Sequence, residues 1–167
     1  MNPNDPKLRS FVTVAKDSHF PIQNLPYGVF VTPANYTPRI GVAIGDYVLD
    51  LAVVEQAGLV EVVPGEKLFN RATLNPFIER GPDAWRRARE AICELLRQEN
   101  ARLRDDARLR ARALVPQSAA RMLMPARIMT ASWLVKFWIS RAPGPKLMLR
   151  LKLAAFRADD AGASDRI

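Results

Sequence analysis

The sequence has very few of the residues that build disulfide frameworks and soft-metal centres. It contains one cysteine, Cys93, and one histidine, His19, among 167 residues. A single cysteine excludes an intramolecular disulfide and favours a reducing compartment. The first residues hold no apolar stretch typical of a secretory signal, and no apolar run approaches the ~20 residues that span a bilayer. We therefore expect a soluble cytoplasmic protein.

Positive charge is unevenly distributed along the chain, whose formal net charge is +8. Residues 1–128 carry 18 basic and 14 acidic residues, whereas residues 129–167 carry 7 and 3, so each part contributes +4. Such charge can support a nucleic-acid or membrane partner. The arginines from Arg102 to Arg112, however, are interrupted by Asp105 and Asp106 and lack the aromatic residues on which bases stack. They predict a solvated helical face, and we expect no nucleic-acid partner.

Residues 11–72 show the pattern of short strands joined by tight turns, after a polar arm at residues 1–10 that we expect to be flexible. Residues 11–14 and 29–31 are strand candidates. Residues 39–51 predict a hairpin, because two apolar runs flank Gly45 and Asp46, a pair suited to positive φ. Side chains alternate along a strand, so one face of the first arm carries Ile40, Val42 and Ile44. This pattern predicts a small barrel or sandwich.

Residues 73–128 change to helical periodicity. Residues 75–76 predict a short helix with proline in its first turn, ended by Gly81. Asp83 opens a longer amphipathic helix, whose apolar positions are Trp85, Ala88, Ile92, Leu95 and Leu96. Residues 105–106 predict the cap of a third helical piece through residue 114, ended by Pro116.

Several blocks of this sequence resemble fumarylacetoacetases, in the same order and at matching spacing. They lie between residues 11 and 128 and include Asp-Ser-His-Phe-Pro-Ile-Gln-Asn-Leu-Pro-Tyr-Gly-Val-Phe at 17–30, Pro-Arg-Ile-Gly-Val-Ala-Ile-Gly-Asp at 38–46, Leu-Asp-Leu at 49–51, Thr-Leu-Asn at 73–75, Ala-Trp at 84–85, Ala-Arg-Leu-Arg-Asp-Asp at 101–106 and Met-Leu-Met-Pro-Ala-Arg-Ile at 122–128. The resemblance implies an SH3-like barrel of the family's N-terminal type at residues 11–72. It also implies a helical extension at residues 73–128 that leads into a larger, β-rich catalytic domain.

The same resemblance implies a function for the intact family enzyme. Fumarylacetoacetases are homodimeric hydrolases that cleave a carbon–carbon bond of 4-fumarylacetoacetate to give fumarate and acetoacetate, in tyrosine and phenylalanine catabolism. The resemblance implies Mg²⁺ and Ca²⁺ as their ions. This chemistry needs a base that activates water and a cation that holds the developing enolate.

The sequence departs from the family where that chemistry should begin. Family members continue with Gly-Asp-Tyr-Thr-Asp-Phe, which contains a metal-binding aspartate, whereas Ile128 is followed here by Met-Thr-Ala-Ser-Trp-Leu. We therefore assign no catalytic, cofactor-binding or metal-binding residue in this chain, and expect no cofactor bound by it. The expected function is that of the N-terminal portion of a fumarylacetoacetase, inactive alone.

The individual candidates for chemistry have simpler structural interpretations. His19 lies upstream of the family's catalytic residues and predicts a surface or turn position. Cys93 predicts a partly buried, inert thiol within a helix. Asp46 is expected in a turn, and Asp50 at the end of a strand as a cap. Residues 159–160 form an isolated acidic pair that cannot enclose a metal ion.

The basic tail at residues 129–167 does not continue the barrel pattern. Residues 133–139 are strongly apolar but too few to span a membrane. Residues 147–153 alternate leucines with Met148, Arg150 and Lys152, a pattern that predicts a strand. As a helix, the same segment would place basic residues beside leucines, which suits an anionic membrane surface. Translation out of frame is one explanation for the tail. The alternative function is a non-catalytic SH3-like binding module, whose tail contacts a partner or an anionic membrane. A third possibility is that a separate chain supplies the catalytic domain.

Overall fold

The computed structural model describes residues 2–3 and 5–123. The predictions made for residues 129–167 therefore lie outside the described residues.

An antiparallel sheet organises the described part of the chain. Its strands are β1 (Tyr27–Thr32), β2 (Asn35–Ile44), β3 (Tyr47–Asp50), β4 (Leu114–Pro116) and β5 (Arg121–Met122), in the order β4-β3-β2-β1-β5. The edge strands β4 and β5 are consecutive in sequence and are joined by a short 3₁₀ helix, Gln117–Ala119. The sheet curls into a half-barrel. This confirms the predicted fold class, a small barrel-type β domain with helices.

The predicted hairpin forms, although it ends earlier than expected. Strands β2 and β3 pair across the turn, and Gly45 adopts the positive φ, +52°, that the turn requires. Leu51, expected on the second arm, instead begins a helix because Asp50 caps that helix. The strand predicted at residues 11–14 is wrong: this segment runs outside the sheet, where the Phe11 N–H donates to the Leu96 carbonyl at 3.1 Å.

The described helices are α1 (Leu51–Gln56), α2 (Asn75–Ile78), α3 (Gly81–Leu96), α4 (Ala101–Arg104) and α5 (Ala107–Ala113). The three predicted helices correspond to α2, α3 and α5, but α2 already ends at Ile78, and α3 begins at Gly81, which was expected to end α2, rather than at Asp83. Helix α5 stops one residue before the predicted end, because the next three residues pair with β3 as strand β4. Helices α1 and α4 were not predicted. None of the described helices is long and apolar enough to cross a lipid bilayer.

One face of the sheet and the longest helix share the main core. Strand β2 contributes the three residues predicted to share a face, and all are at most 1% exposed: Ile40, Val42 and Ile44. Helix α3 contributes a buried stripe at helical spacing: Ala84, Ala88, Ile92, Leu95 and Leu96. Trp85, which was predicted in this stripe, is only partly buried and packs against the core. The apolar periodicities of 2 and 3.6 residues therefore meet at one interface.

The opposite sheet face carries a second apolar layer over a pair of glycines. Gly28 of β1 lies directly opposite Gly41 of β2. A Cβ at Gly41 would stand 2.6 Å from Val48 Cγ1 and 2.8 Å from Phe30 Cε1, so those two side chains meet over the glycine. The Met122 side chain lies over Gly28 in the same way. Because the two glycines have no Cβ, the side chains of Phe30, Val48 and Met122 can pack directly over the sheet backbone.

The segment before β1 is tied to both the arm and α3. Gln23 Nε2 donates to the carbonyls of Asp5 and Leu8 at 2.9 and 3.0 Å. Arg89 of α3 donates to the carbonyls of Ile22 and Gln23. The family-like block at residues 17–30 is therefore positioned by its own polar side chains and by the helix.

Candidate functional site

An open depression of about 380 Å³ lies between the loop at residues 15–20 and the hairpin turn. Its lining includes five polar residues: Asp17, Ser18, His19, Asp46 and Gln117. His19 and Asp46 occupy a surface bend and a turn, as predicted. Gln117, which is 71 residues from Asp46 in the chain, was not predicted to join them, because no local pattern links it to the turn.

Backbone hydrogen bonds hold the depression in shape. The Gly45 N–H donates to the Phe20 carbonyl at 2.8 Å, which fixes the loop against the turn. The Gln117 N–H donates to the Asp46 carbonyl at 2.8 Å, and Gln117 Nε2 donates to the Gly45 carbonyl at 2.9 Å. The turn is therefore bound on one side by the family-like loop and on the other by the 3₁₀ helix.

The chemistry available in this depression is that of an exposed polar surface. Two carboxylates, a hydroxyl and one imidazole can offer hydrogen bonds, but the imidazole is exposed and the Ser18 hydroxyl already accepts the Phe20 N–H at 3.2 Å. Among residues 2–3 and 5–123, no three or more His, Cys, Asp or Glu side chains are grouped to hold a metal ion. The depression is therefore suited to contacting a polar group of a partner rather than to bond cleavage.

A buried ion pair lies on the second sheet face. Arg39 Nε donates to Asp50 Oδ2 at 2.5 Å, and the two side chains are 9% and 1% exposed. The Arg39 guanidinium also stands 4.4 Å from the centre of the Phe30 ring. The other Asp50 oxygen accepts the N–H groups of Ala52 and Val53 at 3.1 and 3.2 Å. Asp50 therefore joins the hairpin to the start of α1, which extends the predicted role of a cap.

A second buried carboxylate, Glu55, was not anticipated from the sequence. It is 2% exposed, and its oxygens accept the backbone N–H groups of Leu68 and Phe69 at 2.8 and 3.2 Å. Lys67 Nζ donates to the Glu55 carbonyl at 2.9 Å. The one sequence feature that could have indicated its burial is its position directly after the apolar run at residues 51–54. Glu55 therefore anchors the loop between α1 and α2.

Cys93 is fully buried in the core, further than the partly buried position predicted. Its Sγ lies 3.7 Å from the Ile22 carbonyl, and burial raises the pKa of the thiol. A neutral, enclosed thiol is a poor nucleophile. Burial likewise raises the pKa of the neighbouring Tyr27 hydroxyl.

The arginines between Arg102 and Arg112 lie mostly on exposed or half-exposed surface, as predicted. Arg104 pairs with Asp105 at 2.7 Å, and this hydrogen bond holds the pKa of the Asp105 carboxyl below its usual value. Asp106 caps α5, since its Oδ1 accepts the Leu109 N–H at 2.8 Å. Asp106 thus has the capping role expected of residues 105–106, whereas Asp105 ends α4 and pairs with Arg104 instead.

The described residues do not fit the ions that the family resemblance implies. Mg²⁺ and Ca²⁺ need several convergent oxygen ligands. Both oxygens of Asp50 and both oxygens of Glu55 already accept hydrogen bonds within the fold. The remaining acidic residues near the concave surface, Asp17 and Asp46, line the open depression. We assign no metal-dependent step to this part of the chain.

Comparison with known proteins identifies the family. A sequence model described as fumarylacetoacetase N-terminal matches residues 23–125, more than half of the chain. The chain is 52% identical over 120 residues to the fumarylacetoacetase of Bos taurus, and 48% identical over 120 residues to that of Homo sapiens. The Dictyostelium discoideum fumarylacetoacetase is 45% identical over 122 residues.

These alignments cover most of this chain but a minor part of each relative. The match to the bovine protein spans 71% of this chain and 29% of the relative, and the match to the human protein has the same shares. The chain therefore spans less than a third of the length of the curated relatives it matches. The extent of the family match and the identity to these relatives show that the chain belongs to the fumarylacetoacetase N-terminal family.

Proposed function

We propose that this chain is the N-terminal portion of a fumarylacetoacetase. The intact enzyme cleaves a carbon–carbon bond of 4-fumarylacetoacetate to give fumarate and acetoacetate, in tyrosine and phenylalanine catabolism. The observation that carries the proposal is the 52% identity over 120 residues to a fumarylacetoacetase, since an identity of this size reaches beyond a shared fold.

In this proposal the described domain is a structural part of the enzyme and is inactive alone. Its two buried acidic side chains, Asp50 and Glu55, are used within the fold. The Mg²⁺ or Ca²⁺ ion, the base and the substrate-binding cations would come from the part of the relatives that this chain does not match. The catalytic domain is the proposed intramolecular partner, and the intact enzyme is a homodimer. A single buried cysteine suits the cytoplasm, where we place the protein.

A hydrolysis assay with two samples tests the proposal. The first sample is the purified chain. The second is a chimera in which residues 1–123 are joined to the sequence that follows the match in the Bos taurus fumarylacetoacetase. Both receive fumarylacetoacetate with Mg²⁺ and with Ca²⁺. We expect turnover by the chimera and none by the chain. Turnover by the chain would contradict its inactivity, and a folded but inactive chimera would contradict the assignment to this enzyme.

A further inference from the structure

We propose that the β5 edge, defined as residues 121–123, is the surface on which the catalytic domain docks. This inference rests on the proposed function and specifies the partner of this domain. The occupant is the C-terminal remainder of a fumarylacetoacetase, which follows this segment directly in the relatives.

The β5 edge exposes two large aliphatic side chains in succession. Met122 is 55% exposed and Leu123 is 41% exposed. Side chains of consecutive extended residues point to opposite faces, so the edge is apolar on both faces of the sheet. The other large apolar residues exposed in the described part, Tyr36 and Tyr47, are amphipathic tyrosines in separate parts of the sheet. The exposed aliphatic side chains therefore lie on both sides of one edge strand, where a second element could cover them together.

The β5 edge is also held rigidly on its inner side. Met122 and Arg121 pair with Phe30 and Val31 of β1, and the Leu123 N–H donates to the Val29 carbonyl at 2.8 Å. The sheet order places no other described strand on its outer side. An edge strand with apolar side chains and an open outer side is the kind of surface that folded proteins cover with another element.

The position of the family match is the argument for the catalytic domain as the occupant of this edge. The match ends at residue 125, two residues after Leu123, and the matched part is 29% of the bovine protein. The remaining, larger part of the relative therefore begins within a few residues of the edge. A domain joined by so short a connection is held at high effective concentration next to β5. Contacts between domains of one chain commonly bury roughly 600–1,500 Å², to which the edge would contribute the apolar centre.

The test uses the same bovine chimera and compares melting temperatures. The double substitution Met122→Asp/Leu123→Asp, called the β5 pair below, is introduced into the purified chain and into the chimera. The matched control is Tyr47→Asp, which changes an exposed apolar residue on β3, three strands away from β5. In the chain alone the Tyr47→Asp control should melt within a degree or two of the parent, and the β5 pair should cost at most a few degrees, because Met122 is 55% exposed and loses only its contact over Gly28. In the chimera the β5 pair should lower the melting temperature by several degrees more than it does in the chain and shorten the half-life of activity on heating, whereas the control should not.

The outcomes separate this inference from the proposed function. An active chimera whose melting temperature and activity half-life are unchanged by the β5 pair would refute the docking surface and leave the proposed function intact. Equal losses for the β5 pair in the chain and in the chimera would also refute it, since the residues would then stabilise the domain itself. A folded chimera without activity would refute the proposed function, and the docking surface would fall with it.

Discussion

The substitution Asp50→Ala should destabilise the domain strongly, because the Asp50 carboxylate has two buried roles. Removing it leaves the Arg39 guanidinium buried against the Phe30 ring without a counter-ion. Breaking one side of a buried ion pair costs about 3–5 kcal/mol. The loss of the α1 cap adds about 1 kcal/mol. The sum, roughly 4–6 kcal/mol, is comparable with the whole stability of a small domain, about 5–15 kcal/mol.

Urea denaturation followed by circular dichroism measures this effect, with two matched variants. Asp105→Ala removes an aspartate whose arginine pair is exposed, and should change the free energy of unfolding by less than about 1 kcal/mol. Arg39→Met/Asp50→Asn removes both buried charges and keeps a capping side chain, so it should be more stable than Asp50→Ala. If Asp50→Ala cost no more than Asp105→Ala, or if the double variant were as unstable as the single one, the reasoning from the unpaired buried charge would be refuted.

Three further predictions concern the core. Glu55→Ala leaves two buried N–H groups without an acceptor and should cost about 2–4 kcal/mol in the same denaturation assay; a loss below 1 kcal/mol would contradict it. Gly41→Ala should be more destabilising than Gly28→Ala, because the added methyl group meets a backbone carbonyl of β3 at 2.9 Å in the first case and a flexible methionine end in the second; equal melting temperatures would show that the second apolar layer adjusts freely. Burial raises the pKa of Cys93, so the native thiol keeps its proton at a pH where the unfolded thiol has lost it. The free energy of unfolding should therefore fall as the pH rises above the ordinary pKa of a thiol. In the Cys93→Ala variant this free energy should fall less steeply with pH. Identical pH profiles for the two proteins would contradict this reasoning.

The parts of the fold that local sequence determines were predictable. The Gly45–Asp46 turn, the apolar face of β2 and the amphipathic stripe of α3 depend on residues close together in the chain, and the structure has all three. The strands β4 and β5 were not predicted, since Leu114–Pro116 and Arg121–Met122 are short and take their conformation from pairing with β3 and β1. Pairing over such sequence distances overrides local propensity.

The buried polar contacts were only partly predictable, because they also join residues that are distant in the sequence. Asp50 precedes an apolar run at the end of a strand, so its cap could be expected, but its arginine partner lies eleven residues away across the hairpin. Glu55 receives its hydrogen bonds from residues 13 and 14 positions later in the chain, in an irregular loop that carries no periodic signal. The depression beside His19 depends on Gln117, which reaches the turn only when β4 has formed.

Hydrolysis of fumarylacetoacetate by the chain and by its bovine chimera tests the central claim most directly. The account predicts that residues 1–123 support turnover when joined to the sequence that follows the match in the Bos taurus enzyme, and that the purified chain shows none with Mg²⁺ or Ca²⁺ present. Turnover by the chain itself would contradict the account, because no metal-ligating group is assembled within the described residues. A soluble, folded chimera that leaves fumarylacetoacetate intact would contradict it equally, since the domain could not then serve as the N-terminal portion of this enzyme.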